Sequence, residues 1–126
     1  MLDKNMKYKV LIIDNDEDFL KRTKQLLLRN DISVVTAIEG ETGIEEAIRS
    51  KPDMIILDLN LSDMDSYDTF RILINGKITS QIPIVMTTNK ETTIKDQADG
   101  LDMGACDYFK KPMNYLASRC EVSKSK

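Results

Sequence analysis

The sequence predicts an α/β fold, a doubly wound, five-stranded parallel sheet with helices on both faces. Two observations predict it. Short apolar segments of strand length alternate with segments whose apolar residues recur at helical spacing. The apolar segments are also nearly continuous, as in "VLII" and "MIIL", which is the pattern of strands buried on both faces and so of a parallel sheet.

Each element follows in turn. "YKVLIID" reads as a first strand ending at Asp14, and "EDFLKRTKQLLLRN" as a helix with Phe19, Leu20, Thr23, Leu26 and Leu27 on one face. "ISVVTA" is a second strand. After Gly40, "ETGIEEAIRS" is helical through Ile44, Ala47 and Ile48, and Pro52 separates it from the strand "MIILD". "SYDTFRILING" forms a third helix on Tyr67, Phe70, Leu73 and Ile74, with Ile72 a weaker member. Pro83 opens the fourth strand, "IPIVMTT". "TTIKDQADGLDMG" is a polar helix carried by Ile94, Ala98, Leu101 and Met103. "CDYFKK" is a short fifth strand closed by Pro112, and Met113, Leu116, Ala117 and Cys120 mark a short final helix before a polar tail.

The 126 residues suffice for one domain, expected over 1–126 with an ordered core of about 7–120 and a tail at 121–126. Apolar residues at 41% and charged residues at 31% are a globular balance. The longest apolar runs fall far short of the roughly 20 residues that span a bilayer, and "MLDKNMKYKV" lacks the apolar core of a signal peptide. A cytoplasmic protein without membrane contact is expected. The net charge of −3 and the lack of a basic stripe argue against direct nucleic-acid binding. With no histidine, His-based triads and His metal ligands are excluded, and Cys106 and Cys120 are too few for a disulfide framework or a zinc site.

In a sheet of this kind, ligands bind beyond the carboxyl ends of the strands. Those ends carry "IIDNDED", then Asp58, then Thr87 and Thr88, then Lys110 and Lys111. Acids, hydroxyls and ammonium groups at one rim suit divalent-metal and phosphoryl chemistry. Carboxylates supply hard oxygens for Mg²⁺, a carboxylate is a competent nucleophile, and a hydroxyl and an ammonium stabilise phosphoryl oxygens. Taken singly, each residue has a plainer role: Asp14 or Asp16 as a helix cap, Thr88 as a strand-end residue, Lys111 as a solvated charge. Their joint occurrence at the ends of the right strands favours the chemical role.

These segments resemble the receiver domain of two-component response regulators, a flavodoxin-like fold. The resemblance runs from about Lys7 to Pro112 and rests on "VLIIDNDEDFL", "KPDMIILDLNLSDMDSYD", "IPIVMTTN" and "DMGACDYFKKP" in order. It implies that Asp58 is the phosphoacceptor, with Thr88 and Lys111 contacting the phosphoryl group. It further implies that Mg²⁺ is held by Asp14, Asn15, Asp58 and the backbone carbonyl of Asn60, that Thr88 and Tyr108 form the switch pair, and that Asn60 and Lys90 tune the lifetime of the acyl phosphate. The implied partners are a sensor histidine kinase or phosphotransfer protein and a downstream target protein, with a phosphorylation-dependent homodimer admitted. The implied role is regulatory rather than enzymatic, beyond self-phosphorylation and autodephosphorylation.

The sequence departs from the family pattern in places. Asn15 stands where a second acid is usual, which should weaken Mg²⁺ binding, with Asp16 a candidate to compensate. Asp63 and Ser66 stand where glycines are usual, and a strained φ is expected at one or the other. Asn89 replaces a small residue, and the final helix is short. The alternative function is therefore a degenerate receiver that binds protein independently of phosphorylation. Two other classes fit less well. A flavodoxin-like cofactor binder needs a phosphate loop where "DNDEDF" would repel phosphate. An aspartate-nucleophile phosphatase would place its nucleophile on the first strand, a pattern "DND" meets only superficially.

Overall fold

The computed structural model describes residues 8–59 and 66–88 throughout, and the backbone of 107–110. The elements are β1 (Tyr8–Ile13), α1 (Glu17–Arg29), β2 (Ile32–Ala37), α2 (Gly40–Ser50), β3 (Met54–Asp58), α3 (Ser66–Asn75), a 3₁₀ turn (Thr79–Gln81), β4 (Ile84–Thr88) and β5 (Asp107–Lys110). All strand pairs are parallel, in the order β2-β1-β3-β4-β5. The chain moves outward from β1 to β2, then returns to place β3 on the other flank of β1. That reversal lies between β1 and β3, where a doubly wound sheet binds its ligands.

Two apolar layers hold the sheet. Leu11, Ile13, Ile55, Leu57, Ile84 and Met86 face α2 and α3, packing on Ala47, Phe70 and Leu73. Val10, Ile12, Met54, Ile56 and Val85 face the other way, onto Phe19, Leu20 and Leu27 of α1. Consecutive residues of each strand thus alternate between two buried faces, which is why "VLII" and "MIIL" show no polar alternation. At Gly43 of α2 the helix lies so close to β1 that an added Cβ would sit 2.6 to 2.9 Å from three atoms of the Ile13 side chain.

The expected elements appear with modest differences. β1 ends at Ile13 rather than Asp14, although the Asp14 amide still donates to the Ala37 carbonyl at 2.9 Å. On α1, Phe19, Leu20, Thr23 and Leu27 are buried, whereas Leu26 is 38% exposed; the stripe is narrower than its apolar content. On α2, Ala47 is buried and Ile44 packs on the core, but Ile48 is 45% exposed. Ile72 is exposed on α3, in keeping with its weaker placement. The 3₁₀ turn was not expected from the sequence. The anticipated helices over 92–104 and after Pro112 lie outside the described residues.

Helix α1 starts where Asp16 serves as N-cap, its Oδ1 accepting from the Phe19 amide at 3.2 Å. Helix α2 ends on Lys51 in the left-handed region at φ 50, its amide donating to the Ala47 carbonyl. Among the described non-glycine residues, positive φ occurs at Asp31 and Lys51. Of the two positions where strain is expected, Ser66 does not carry it and instead opens α3. Asp63 lies outside the described residues.

Candidate functional site

The α1-facing layer ends in a polar row. Ile12, Ile56 and Val85 are register partners across β1, β3 and β4. Two residues further along each strand, the same face presents Asp14, Asp58 and Thr87, of which Asp58 and Thr87 are themselves register partners. The row stands at the carboxyl ends of three adjacent strands, across the topological reversal. It is also closed off from solvent: relative exposure is 0% for Asp14, 2% for Asp58 and 0% for Thr87. Neighbouring strands lie roughly 4.8 Å apart, so two carboxylates and a hydroxyl share one buried strip.

Such burial is costly. A carboxylate removed from water loses several kcal/mol of hydration even in a relaxed protein environment, on the order given for buried ions, and a second carboxylate beside it adds repulsion. Asp14 and Asp58 both have partners within the fold, and the Oδ1 of Asp14 accepts from the Asp16 amide at 2.8 Å. The oxygens Asp14 Oδ2, Asp58 Oδ1 and Thr87 Oγ1 are nevertheless buried atoms without a hydrogen bond, and all three come from this row. An apolar row would be more stable here, so the arrangement is that of a site.

The surrounding residues fix its geometry. The Ser66 hydroxyl donates to the Asp58 carbonyl at 2.8 Å in a buried bond, tying the start of α3 to the end of β3. The Leu59 amide donates to the Thr87 carbonyl at 2.9 Å, holding β3 and β4 together one residue past Asp58. Thr88 is buried at 4% exposure at the end of β4, with Lys110 of β5 as its backbone register partner.

Of the residues expected at the site, Asp14, Asp58 and Thr88 gather at the sheet's carboxyl edge, and Asn15 follows Asp14 as an exposed residue. Asp16 caps α1, its Oδ1 accepting from the Phe19 amide. Among the described residues no group of three or more Asp, Glu, His or Cys side chains gathers as a metal cluster, so the "DNDED" run is not a cluster in space. Asn60, Lys90 and Lys111, and the side chain of Tyr108, lie outside the described residues. Sequence reasoning did not assign Ser66 a role. The available signal was a hydroxyl at the first helical residue after the Asp58 strand, a position from which it reaches back to the last carbonyl of that strand.

The donor set suits Mg²⁺, a hard cation that keeps several waters and takes one or two carboxylates from a protein. Asp14 and Asp58 are two such carboxylates, and a divalent cation would offset the like charges that burial brings together.

A five-stranded parallel sheet in this order, with helices on both faces and paired acids at its carboxyl edge, defines the flavodoxin-like α/β class of receiver type. The chain belongs to the response regulator receiver domain family, whose model matches residues 10–118. It is 34% identical over 109 residues to the alkaline phosphatase synthesis transcriptional regulatory protein PhoP of Bacillus subtilis, a match covering 86% of this chain and 44% of that protein. It thus spans less than half the length of that curated relative. Among solved structures it resembles a two-component response regulator from Clostridium difficile, with TM-score 0.82 and 29% identity over 94% of this chain and 95% of the other. The BeF3-activated N-terminal receiver domain of Klebsiella pneumoniae RstA is similar at TM-score 0.80 and 26% identity, covering 93% and 97%.

Proposed function

We propose that this chain is a phosphoacceptor switch in which Asp58 takes a phosphoryl group from the phosphohistidine of a sensor kinase or phosphotransfer protein. The observation that carries the reading is the buried row Asp14–Asp58–Thr87 at the carboxyl edge of three adjacent strands. In the transfer, a carboxylate oxygen of Asp58 bonds to phosphorus while the bond from phosphorus to the donor imidazole nitrogen breaks. The imidazole departs with the electron pair of that bond and leaves as neutral imidazole, because its other ring nitrogen keeps its proton. Mg²⁺, when bound, supplies charge neutralisation for the phosphoryl oxygens.

Asp14, Asn15, Asp58 and the Asn60 carbonyl are the proposed metal ligands, and Asn15 lowers affinity by giving a neutral oxygen where a second acid would give an anionic one. Thr88 and Lys111 receive the phosphoryl oxygens, and Tyr108 turns inward as Thr88 moves. Asn60 and Lys90 govern water access and hence the lifetime of the acyl phosphate. The added charge of about −1.5 to −2 acts only through contacts that differ between the two states. The role is regulatory, the site of action cytoplasmic, and the output a contact with a target protein, homodimerisation included. Among the described residues no helix is long and apolar enough to cross a membrane.

The test is a ¹⁵N NMR titration with Mg²⁺ followed by beryllofluoride, the reagent named for the activated Klebsiella neighbour. Mg²⁺-dependent shifts at Asp14, Asn15 and Asp58, then a second set at Thr88 and β5 on adding beryllofluoride, support the reading. An unchanged spectrum in both steps overturns it.

A further inference from the structure

We propose that Thr87, beside Thr88, is a further catalytic residue of the phosphoacceptor site, its hydroxyl donating a hydrogen bond to the phosphoryl group as that group joins Asp58. The inference rests on Asp58 being the phosphoacceptor.

Thr87 lies at 0% exposure with its Oγ1 buried and without a hydrogen bond. For packing alone, valine has the same shape and no hydroxyl to desolvate, so the core gives no reason for threonine here. The position of that hydroxyl supplies one. Thr87 is the register partner of Asp58, so both side chains stand on the same face, one strand spacing apart. A phosphoryl group on Asp58 brings three strong acceptor oxygens to within a side chain's reach of that hydroxyl. A threonine χ1 has three staggered wells, each placing the hydroxyl differently.

The pleat sends Thr87 and Thr88 to opposite faces of β4, so the two hydroxyls approach the edge from different sides. Asp14 flanks Asp58 on the β1 side and Thr87 flanks it on the β4 side. The row therefore offers acids toward one neighbour and a donor toward the other, which suits a group whose oxygens need both a cation and a hydrogen bond.

The experiment compares the wild-type chain, Thr87→Val, Thr87→Ala and Thr87→Ser for the rate of phosphoryl incorporation. Intact-protein mass is followed over time with acetyl phosphate as donor, at one Mg²⁺ concentration. Valine and alanine should slow incorporation about tenfold, the equivalent of one hydrogen bond to a charged acceptor, and serine should keep the wild-type rate. Thr87→Val should melt no lower than wild type, because its side chain is isosteric; a purely structural hydroxyl would give the reverse, a lower melting temperature with an unchanged rate. Equal rates in all four proteins overturn the inference while leaving Asp58 as acceptor. Wild type that takes up no phosphoryl group overturns both.

Discussion

Gly43→Ala tests how tightly helix α2 is seated on the strand that leads into the site. Glycine in a helix is normally about 1 kcal/mol worse than alanine, so the substitution on an open helix would stabilise. At Gly43 the new Cβ would meet Ile13 Cδ1, Cγ1 and Cγ2 at 2.6, 2.7 and 2.9 Å, and Ile13 is fully buried with 0% exposure. Overpacking of this kind costs about 1–3 kcal/mol. Set against the helix gain, the net loss is about 1 kcal/mol, or about 3–5 °C in melting temperature for a chain of this size.

A double-mutant cycle with Ile13→Ala isolates the contact. That change alone should cost about 2–5 kcal/mol. In its background the clash is gone, so Gly43→Ala should stabilise by about 1 kcal/mol, the sign reversed. Urea unfolding followed by circular dichroism reads all four stabilities. Stabilisation by Gly43→Ala in the wild-type background would refute the reasoning, for it would mean that α2 has room above β1. Because Ile13 adjoins Asp14, the same variant should also weaken Mg²⁺ binding.

Other substitutions probe the remaining supports. Ser66→Ala removes the buried bond to the Asp58 carbonyl and should cost about 1–2 kcal/mol by denaturant unfolding, with the loss confined to stability if the end of β3 keeps its place. Asp16→Ala deletes the α1 cap and should cost about 1 kcal/mol, while Mg²⁺ affinity measured by calorimetry stays within error, since capping rather than ligation occupies that side chain. Lys51→Gly relieves a left-handed residue at φ 50 and should raise the melting temperature by an amount equivalent to about 0.5–1 kcal/mol. Asn15→Asp should tighten Mg²⁺ binding by restoring an anionic ligand next to Asp14.

The sheet was legible because both of its faces are buried: the continuous runs of β1, β3 and β4 can form little else, and Pro52 and Pro83 mark where two of them begin. Helix faces were legible less sharply. Leu26 and Ile48 satisfy the spacing rule yet stand exposed, since periodicity gives a direction but not the width of the surface that meets it. Asp14, Asp58 and Thr88 were legible as strand ends. The pairing of Asp58 with Thr87 rather than Thr88 was not, because register depends on how β3 and β4 slide against each other. Nor could sequence separate Asp14 from Asp16, whose roles as a buried acid and a helix cap differ by two residues of a turn.

On the proposed reading, Asp58 accepts a phosphoryl group with Mg²⁺ although Asn15 stands in place of a second acid. The most direct test is the intact mass of the protein, with peptide mapping, after incubation with acetyl phosphate in the presence and absence of Mg²⁺, with Asp58→Ala alongside. One phosphoryl group is expected, located on Asp58, dependent on Mg²⁺ and lost in the variant. An unmodified wild-type protein, or an adduct that persists in Asp58→Ala, would contradict it.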